Sequence, residues 1–555
     1  MTLDSRRVAE EYAEAADRLD PIDAFMRGDL GYSGQLTDFS PEAEQERHGL
    51  VRRYLRRAQT EVGEQDGVAV RAMVDRLQVE LELFETGEWA RALHVFGPHV
   101  QVRQSFDLLP RATEAQWEVI AEKLGQVPGA LAGFCRTLEY GLDHGLPSER
   151  RQALVAAHQA RAFGGGSRGS SGYFASLVSA YIGPAAPLRA ELARGAAAAD
   201  QAYLELADYL ESSYATQATE VDGVGPERYT LAARRYLGTR LDPAADYEFG
   251  WSELARLTAE MAQVAERIAP GGGIDGAVNV LETDPARAIE GVDRFQAWSQ
   301  ELLDATLSQL EGTHFDIPPP VRRVEAMIAP PGGSPAMYYT APSADFSRPG
   351  RTWYPTLGRT RFPLWQEVTT SYHEGLPGHH LQLGMICFLQ DSLAPFQTLR
   401  GAVSGHLEGW ALYAERLMGE LGFLDVDDYR LGMLSAQAMR AARVVVDLGL
   451  HLQLPIPSGQ PFHPGERWTW ELAVQFLMES SRRSRGFCTG EVDRYLGVPA
   501  QAISYKLGER IWLEVREMVR RRQGERFQLK AFHQQALALG CLGLDQLRQE
   551  MGRQA

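Results

Sequence analysis

Apolar residues recur at steps of three and four along most of the chain, which is the spacing of one face of an α-helix. Residues 246–269 show this pattern clearly, and Pro270 with the three glycines that follow it ends the segment. The apolar positions of that segment are Trp251, Leu254, Leu257, Met261, Val264 and Ile268. Residues 286–311 repeat the pattern. We therefore predict a mainly α-helical protein.

The helical period disappears between residues 314 and 358, where prolines cluster. Three short pieces of strand-like composition, VEAMI, AMYYT and RTWYPTL, predict a small β element there. Helical periodicity returns after residue 361. The predicted helices are 363–376, 379–392, 406–421, 427–453, 466–484, 488–496, 499–522 and 528–540. We divide the chain into an N-terminal helical region, residues 1–313, and a second region, residues 314–555.

Composition and charge exclude several classes of protein. The 555 residues are 44% hydrophobic and 23% charged, as in ordinary globular proteins. The net charge is −17 and no Lys/Arg stripe is present, so a nucleic acid is not expected as a partner. No apolar run is long enough for a membrane span, the first residues lack the apolar core of a signal peptide, and the four cysteines are far apart. These features predict a cytoplasmic protein without membrane association.

The segment SYHEGLPGHHLQLG (371–384) holds three of the 13 histidines of the chain. Zinc peptidases commonly carry the pattern HExxH, in which two histidines on one helix face bind one ion and the glutamate accepts a proton from water. His373 and Glu374 supply the first two members of this pattern. The position four residues after His373 is Pro377, so the strict pattern is not met.

An unbroken helix cannot bring two of these histidines to one ion. At about 100° per residue, His379 would lie about 240° around the helix from His373. His380 would return to the same face, but about 10 Å further along the axis, which is too far to share a metal. Pro377 breaks the helix, and residues bulged out at this point would bring a later histidine back. The spacing leaves both His379 and His380 open as the second ligand.

A third ligand is expected from a carboxylate on another helix. In the segment SGHLEGWALYAERLM (404–418), Glu408 lies 29 residues after His379 and Glu415 is seven residues further on, near the same helix face. Glu408 is the candidate ligand, although an acid near a helix start also serves as a cap or a surface group. His406 is either a hydrogen-bond partner of a ligand or an ordinary residue at a helix start.

Three segments, HEGLPGHHLQ, EGWALYAE and RYLGVPAQAISYKLG, resemble the bacterial DUF885 family, whose first motif is close to HEAxPGHHLQ. That family resembles gluzincin peptidases. Thimet-type oligopeptidases and Taq-type carboxypeptidases carry HExGH, and dipeptidyl peptidase III carries HExxGH. Aligning the shared Gly-His pair favours His379 as the second ligand, with His380 as a neighbour, and the family pattern favours Glu408 as the third.

The resemblance implies a large helical fold around a deep cleft, with residues 1–313 forming one wall and residues 314–555 carrying the catalytic centre. It implies one Zn²⁺ ion and Glu374 as general base. In the last of these three segments Tyr505 can donate a phenolic proton and Lys506 can supply a charge, with Tyr495 and Arg494 as further candidates. Thimet-type enzymes use tyrosines from a distal segment for this step, so the analogy favours Tyr505. The alternative for the two tyrosines is packing in helix cores.

The segment RAARVVVDLGLHLQ (440–453) also resembles the family. Arg443, Asp447 and His451 are spaced by four residues and therefore share one helix face. They form either a polar row along the cleft, with Arg443 binding a terminal carboxylate, or an ordinary ion-pair row. Residues 351–358 are a candidate edge strand for pairing with a substrate backbone.

These observations predict a zinc-dependent peptidase that acts on short peptides. Two alternatives remain open, a metal-dependent amidohydrolase of a non-peptide amide and a protein that binds a metal or ligand without catalysis. The sequence does not indicate the oligomeric state.

Overall fold

The computed structural model describes residues 3–60, 67–166, 171–329 and 336–554. The described chain is mainly helical with a few short strands, which confirms the predicted fold class. The helices are α1 (Leu3–Leu19), α2 (Pro21–Met26), α3 (Pro41–Thr60), α4 (Gly67–Glu85), α5 (Pro98–Gln104), α6 (Glu114–Asp143), α7 (Arg150–Phe163), α8 (Tyr173–Ser179), α9 (Ala186–Tyr209), α10 (Gly225–Leu237), α11 (Pro243–Ile268), α12 (Gly273–Thr283), α13 (Val292–Leu310), α14 (Glu367–Glu374), α15 (His379–Phe388), α16 (Ser404–Glu420), α17 (Asp427–His451), α18 (Trp470–Ser481), α19 (Arg485–Gly497), α20 (Ser504–Gln523), α21 (Leu529–Ala538) and α22 (Leu544–Gln554).

In the described residues, two small sheets precede helix α14. The strands are β1 (Ala288–Glu290), β2 (Val324–Ile328), β3 (Tyr338–Thr340), β4 (Gly350–Tyr354) and β5 (Arg361–Pro363). Strands β1 and β5 form an antiparallel pair, and the second sheet has the order β2-β4-β3, with β4 parallel to β2 and antiparallel to β3. The β element predicted between residues 314 and 358 is confirmed. Strand β4 is central, so the prediction that residues 351–358 form an edge strand for a substrate is wrong.

The chain divides into two compact units. Unit 1 comprises Met1–Gln65, Arg76–Glu227 and Thr489–Pro499, and unit 2 comprises Asp66–Asp75, Arg228–Cys488 and Ala500–Ala555. This division differs from the predicted boundary after residue 313, because helix α11, from the first predicted region, packs against α17 of the second. A boundary read from local composition does not detect such long-range packing.

Unit 1 is built on helices α6 and α9, which pack against each other while α7 and α8 pack on α9. Thr113 and Gln116 form a reciprocal capping box that starts α6. The apolar faces bury Leu124, Phe134 and Tyr203 in one continuous core. This is the helical face packing that the three- and four-residue periodicity predicts.

Unit 2 is organised around α17, which is buried on nearly all sides from Leu431 to His451. Helix α11 packs along α17, and α16 packs along α20. The α16–α20 contact is close because Gly409 meets Gly508, and a Cβ atom on Gly409 would lie 2.5 Å from the carbonyl carbon of Gly508. A helix buried on all sides must satisfy its polar side chains internally. The polar side chains of α17 therefore need hydrogen-bond or ion-pair partners within unit 2.

The predicted helices at 246–269 and 286–311 correspond to α11 and α13. Helix α13 starts later than predicted, at Val292, because residues 288–290 pair with β5 and Gly291 follows them. Helix α22 was not among the predicted helices.

Candidate metal centre

The motif segment is a helix, a turn and a second helix. Helix α14 ends at Glu374 and α15 begins at His379, with a cis peptide bond between Leu376 and Pro377 in the turn. The sequence predicted a break at Pro377, and the break is present. Its form differs from the predicted bulge within one helix, because the four residues between the helices leave helical geometry altogether. This turn reorients His379 relative to His373.

Close backbone contacts hold the turn in place. The amide N–H of Gly378 donates to the carbonyl of Tyr372 at 3.0 Å. A Cβ atom at position 378 would lie 1.9 Å from the carbonyl oxygen of His373, so only glycine fits there. Nε1 of Trp410 on α16 donates to the carbonyls of Pro377 and Gly378 at 3.0 and 3.2 Å. The helix that carries Glu408 thus also fixes the turn between the two histidines.

His373, His379 and Glu408 converge on one point. Their nearest ligand atoms all lie within 4.8 Å of one another. Nε2 of His373 is 3.3 Å from Oε2 of Glu408, and Nε2 of His379 is 3.4 Å from the same oxygen. His373 is buried, and the other two side chains are half-buried.

These distances fit a shared ion. Two ligands at the usual Zn–N and Zn–O bond lengths of about 2.0–2.1 Å, in a tetrahedral arrangement, are separated by roughly 3.3 Å. Both distances to Glu408 match this separation. Nδ1 of His379 is buried and has no hydrogen-bond partner among the described residues. The donor set of two imidazoles and one carboxylate suits Zn²⁺.

The structure distinguishes His379 from His380. Nε2 of His380 donates to the carbonyl of Val321 at 2.7 Å, so this nitrogen carries the proton. Nδ1 then accepts from the hydroxyl of Tyr339 at 2.8 Å. Burial lowers the pKa of His380 to about 4, which keeps the ring neutral. Both nitrogens are engaged, so His380 has no lone pair for a metal.

Glu415 binds the nitrogen of His373 that lies away from Glu408. Its Oε1 accepts from Nδ1 of His373 at 2.8 Å, and its Oε2 accepts from the hydroxyl of Thr369 at 3.0 Å. A terminal nitrogen of Arg440 lies 3.4 Å from Oε1. A carboxylate on the outer nitrogen of a metal-binding histidine fixes the tautomer and raises the basicity of the other nitrogen. Glu415 therefore directs Nε2 of His373 towards Glu408.

The charges around the centre favour a cation. Burial opposes protonation of His373, but hydrogen bonds to Glu408 and Glu415 outweigh it and raise the pKa of His373 to about 9. Burial would raise the pKa of Glu408, yet its hydrogen bonds to His373 and His379 hold that pKa well below its usual value. Carboxylates that stabilise a proton on this imidazole also stabilise a metal ion bound to it.

Glu374 lies beside this group and is buried, with 9% of its surface exposed. Burial raises its pKa, while the charges of His379 and His373 lower it. Glu374 directly follows the candidate ligand His373 at the end of α14. A buried carboxyl group that follows a candidate metal ligand in the chain suits proton transfer.

Tyr505 is also near the centre. Its ring lies nearly parallel to that of His373, with the centroids 6.4 Å apart. The guanidinium carbon of Arg443 lies 4.8 Å from the centroid of the Tyr505 ring, and that of Arg440 lies 5.9 Å from it. Arg443 is one of the predicted substrate-binding residues. It contacts Tyr505, which in turn lies beside the candidate ligand His373.

Lys506 follows Tyr505 on α20 but points to another side of the helix, since successive helical residues are about 100° apart. It is fully buried. Its ammonium group contacts the side chains of Glu253, Gln437 and Glu509, at 2.8, 2.5 and 2.6 Å. These contacts place Lys506 in a buried ion-pair network.

Asp447 and His451 share a helix face, as predicted. Nε2 of His451 lies 3.8 Å from Oδ1 of Asp447. Asp447 accepts hydrogen bonds from the hydroxyl of Tyr229 and from the backbone N–H of Ala500. Asp447 thus links α17 to helix α10 and to the segment that precedes α20. These contacts give both residues a structural role in unit 2.

Tyr495 and His406 are the two remaining predicted residues. Tyr495 belongs to unit 1, where its hydroxyl donates to Glu491 at 2.9 Å, and its role in substrate binding stays a prediction. His406 is buried in unit 2, with Nδ1 3.3 Å from Nε2 of Gln382, and burial lowers its pKa to about 3. The hydrogen bonds of His406 go to Gln382 and Trp512 rather than to a metal ligand.

Three residues that shape the centre were not assigned these roles from the sequence: Glu415, Trp410 and Tyr339. Two of them belong to the EGWALYAE segment, together with Glu408. The seven-residue spacing of Glu408 and Glu415 places both on one helix face. This spacing was the sequence feature that could have indicated a role for Glu415 near the centre. No feature of the sequence around Tyr339 predicts its role, because its contact with His380 depends on how the small sheet packs on α15.

Replacing Glu415 with glutamine is expected to weaken metal binding by about 10- to 100-fold, because the neutral amide no longer raises the basicity of His373. Chelator competition measures the affinity. Glu420→Gln on the same helix is the control, since Glu420 pairs with Arg516 and touches none of the ligands. Equal affinities for the two variants would contradict the role of Glu415.

The profile of a bacterial family of unknown function, DUF885, matches residues 21–551. No curated protein matches significantly. A solved structure described as "the putative lipoprotein from Colwellia psychrerythraea" is 22% identical, with a TM-score of 0.84, covering 100% of this chain and 99% of its own. A "putative lipoprotein of unknown function" from Shewanella oneidensis is 16% identical, with a TM-score of 0.72, covering 99% and 100%. At these identities the likeness shows the fold alone.

The comparison corrects the expected location. Both solved structures are described as putative lipoproteins, a class anchored at membranes outside the cytoplasm, and these descriptions contradict the prediction of a cytoplasmic protein. That prediction rested on the net charge and on the composition of the first residues of the given sequence. Among the described residues, no helix combines the length and apolarity needed to cross a bilayer. The family profile covers nearly the whole chain, and the protein therefore belongs to DUF885, a family of bacterial proteins of unknown function.

Proposed function

We propose that this protein is a zinc-dependent peptidase that hydrolyses amide bonds of short peptides. The observation that carries the proposal is the convergence of His373, His379 and Glu408, in which both histidine nitrogens lie from Glu408 at the spacing of ligands around one ion. The buried carboxyl of Glu374 next to them supplies the acid–base group that amide hydrolysis requires. Three protein ligands leave a fourth position open, as in catalytic rather than structural zinc sites.

When bound, the ion supplies Lewis-acid activation of water and of the substrate carbonyl. Glu374 accepts a proton from the attacking water at a carboxylate oxygen. The water oxygen bonds to the carbonyl carbon, the C–N bond breaks, and Glu374 gives the proton to the leaving nitrogen. One water molecule is consumed, and a carboxylic acid and an amine are released.

The side chains around the centre position the reacting groups. Glu415 orients His373, and the turn held by Trp410 orients His379. Tyr505, with its ring beside that of His373, is the candidate donor to the negative charge that develops on the carbonyl oxygen. Because His373 and Glu374 are buried, we expect short chains rather than folded proteins as substrates.

A digest of a peptide library tests the proposal. Zinc-loaded protein is incubated with peptides of mixed sequence, and new termini are identified by mass spectrometry. We expect cleavage that a chelator abolishes and added Zn²⁺ restores. Intact peptides in every zinc-loaded sample would overturn the peptidase proposal. Turnover of non-peptide amides would then identify an amidohydrolase, and metal binding without turnover would identify a binding protein.

A further inference from the structure

Arg440 and Arg443 lie about one turn apart on α17 and pack against the same aromatic ring. Their guanidinium carbons lie 5.9 and 4.8 Å from the centroid of the Tyr505 ring. Both arginines are buried, with 8% and 7% of their surfaces exposed. The centroid of the Tyr505 ring lies 6.4 Å from that of His373. Two buried positive charges are therefore placed beside the candidate metal centre.

The contact of Arg440 with Glu415 bounds its distance from the centre. A terminal nitrogen of Arg440 lies 3.4 Å from Oε1 of Glu415, and the same oxygen accepts from Nδ1 of His373 at 2.8 Å. These two contacts in series keep the guanidinium nitrogen within about 6 Å of that imidazole nitrogen. Arg440 is thus close enough to act on a group bound near the metal.

Glu415 does not occupy the hydrogen-bond donors of Arg440. Both oxygens of Glu415 are already engaged, Oε1 by His373 and Oε2 by the hydroxyl of Thr369 at 3.0 Å. The 3.4 Å contact is longer than the roughly 2.7–2.9 Å of a charge-assisted hydrogen bond. Nε of Arg440 is buried and has no hydrogen-bond partner in the part of the chain that the structure describes. A guanidinium has several N–H donors, so Arg440 keeps donors for another acceptor.

The unused donors of Arg440 match a carboxylate. A buried guanidinium whose donors are unpaired is costly, and an anion that arrives with a ligand offsets the cost. Its planar group binds a carboxylate through two parallel hydrogen bonds. The centre is in contact with solvent, because His379, Glu408 and Tyr505 are half-buried and 10% of the Arg440 side chain is exposed.

We propose that Arg440, with Arg443 and Tyr505 beside it, is a subsite for a carboxylate group of the substrate. The inference rests on the proposed function and narrows its substrate class to peptides with a carboxylate near the cleaved bond. An extended chain spans about 3.3–3.6 Å per residue, so the short distance between Arg440 and His373 corresponds to roughly one or two residues. The carboxylate comes either from the free C-terminus or from an acidic side chain, since both present the same pair of oxygens.

The test compares three N-acylated short peptides of one neutral sequence. The first has a free C-terminal acid, the second a C-terminal amide, and the third the amide with glutamate as the last residue. The wild-type protein is expected to hydrolyse the first or the third with a kcat/KM about 10- to 100-fold above that of the neutral amide, the size of a hydrogen bond to a charged group. The preferred peptide identifies the source of the carboxylate. Equal values for all three would overturn the subsite while leaving the peptidase proposal intact.

Arg440→Met is expected to abolish this preference, because methionine lacks the charge and the donors. An effect that passes through Glu415 to the metal changes all three peptides alike, so the ratio of their kcat/KM values isolates the subsite. Arg440→Lys keeps a charge next to Glu415 and replaces the first variant if that does not fold. It is expected to retain part of the preference, because the paired hydrogen bonds are lost. An undiminished preference in either variant would overturn the subsite.

Glu415→Gln separates carboxylate binding from support of the metal. This variant keeps Arg440, so at saturating zinc it is expected to retain the preference. Loss of the preference in Glu415→Gln to the same extent as in Arg440→Met would show that Arg440 acts through Glu415, which would overturn the subsite. Arg430→Met is the control for removal of a positive charge from α17, since Arg430 pairs with Glu260 at 3.5 Å. It is expected to retain the preference.

Binding distinguishes failure of the subsite from failure of the proposed function. If no peptide is cleaved, calorimetry with the zinc-loaded protein compares the same three peptides as ligands. Tighter binding of a carboxylate peptide that Arg440→Met removes and Arg430→Met keeps would support the subsite even when the peptidase proposal fails. Equal binding of the three peptides, or no binding of any of them, would overturn it.

Discussion

Glu374→Gln is expected to abolish peptide hydrolysis while the protein keeps its metal. Glutamine has nearly the shape of glutamate, but its amide cannot accept a proton from the attacking water. General acid–base groups contribute about 10²- to 10⁴-fold to rate, and we expect kcat to fall within that range. The three candidate ligands are untouched, so one equivalent of zinc remains by elemental analysis. The measurement is kcat at saturating peptide, together with the zinc content of the same sample.

Glu420→Gln provides the control for an unspecific effect of removing a negative charge. Glu420 ends α16 and pairs with Arg516 on the surface. This variant is expected to retain both zinc and activity. A zinc-loaded Glu374→Gln protein that still turns over at the wild-type rate would remove Glu374 from the mechanism. Loss of zinc from this variant would instead identify Glu374 as a ligand.

His379→Ala is expected to lose the metal, whereas His380→Gln keeps it. The two histidines are neighbours, but only His379 has its Nε2 beside Glu408. His380 donates to Val321 and accepts from Tyr339. Removing a direct ligand costs more than the 10- to 100-fold that accompanies loss of an outer hydrogen-bond partner. We therefore expect zinc affinity to fall by well over 100-fold in His379→Ala.

Thermal unfolding with and without zinc tests the expected zinc binding of both variants and needs no substrate. A ligand that binds only the folded state raises Tm. Zinc is expected to raise the Tm of the wild-type protein and of His380→Gln, and to leave that of His379→Ala unchanged. The His380→Gln protein starts from a lower Tm, because the replacement disturbs two buried hydrogen bonds. The reverse pattern, with zinc stabilising only His379→Ala, would exchange the roles of the two histidines.

The local sequence determined the helical fold, the β element and the members of the candidate centre. Periodicity in residues 246–269 predicted α11, and VEAMI became β2 with the same bounds. Pro377 predicted that the helix after His373 would break. These features depend on residues close together in the chain, and backbone sterics and the burial of one helix face act at that range.

Tertiary packing decided which of the predicted groups come together. Helix arithmetic left His379 and His380 equally open, and the family resemblance only favoured one. The choice depends on Val321 and Tyr339, which occupy both nitrogens of His380. Both partners lie more than 40 residues away in sequence, and no local pattern encodes such a contact.

The same reason separates Tyr505 from Lys506. The two residues are adjacent in a motif, and the sequence assigned catalytic roles to both. On α20 their side chains point in different directions, so Tyr505 faces His373 and Lys506 enters the ion-pair network with Glu253 and Glu509. Local sequence specifies which residue types are available and where helices begin and break. The packing of α14, α15, α16, α17 and α20 decided which side chains face the candidate metal, because side-chain direction depends on helix rotation and on partners that are distant in the chain.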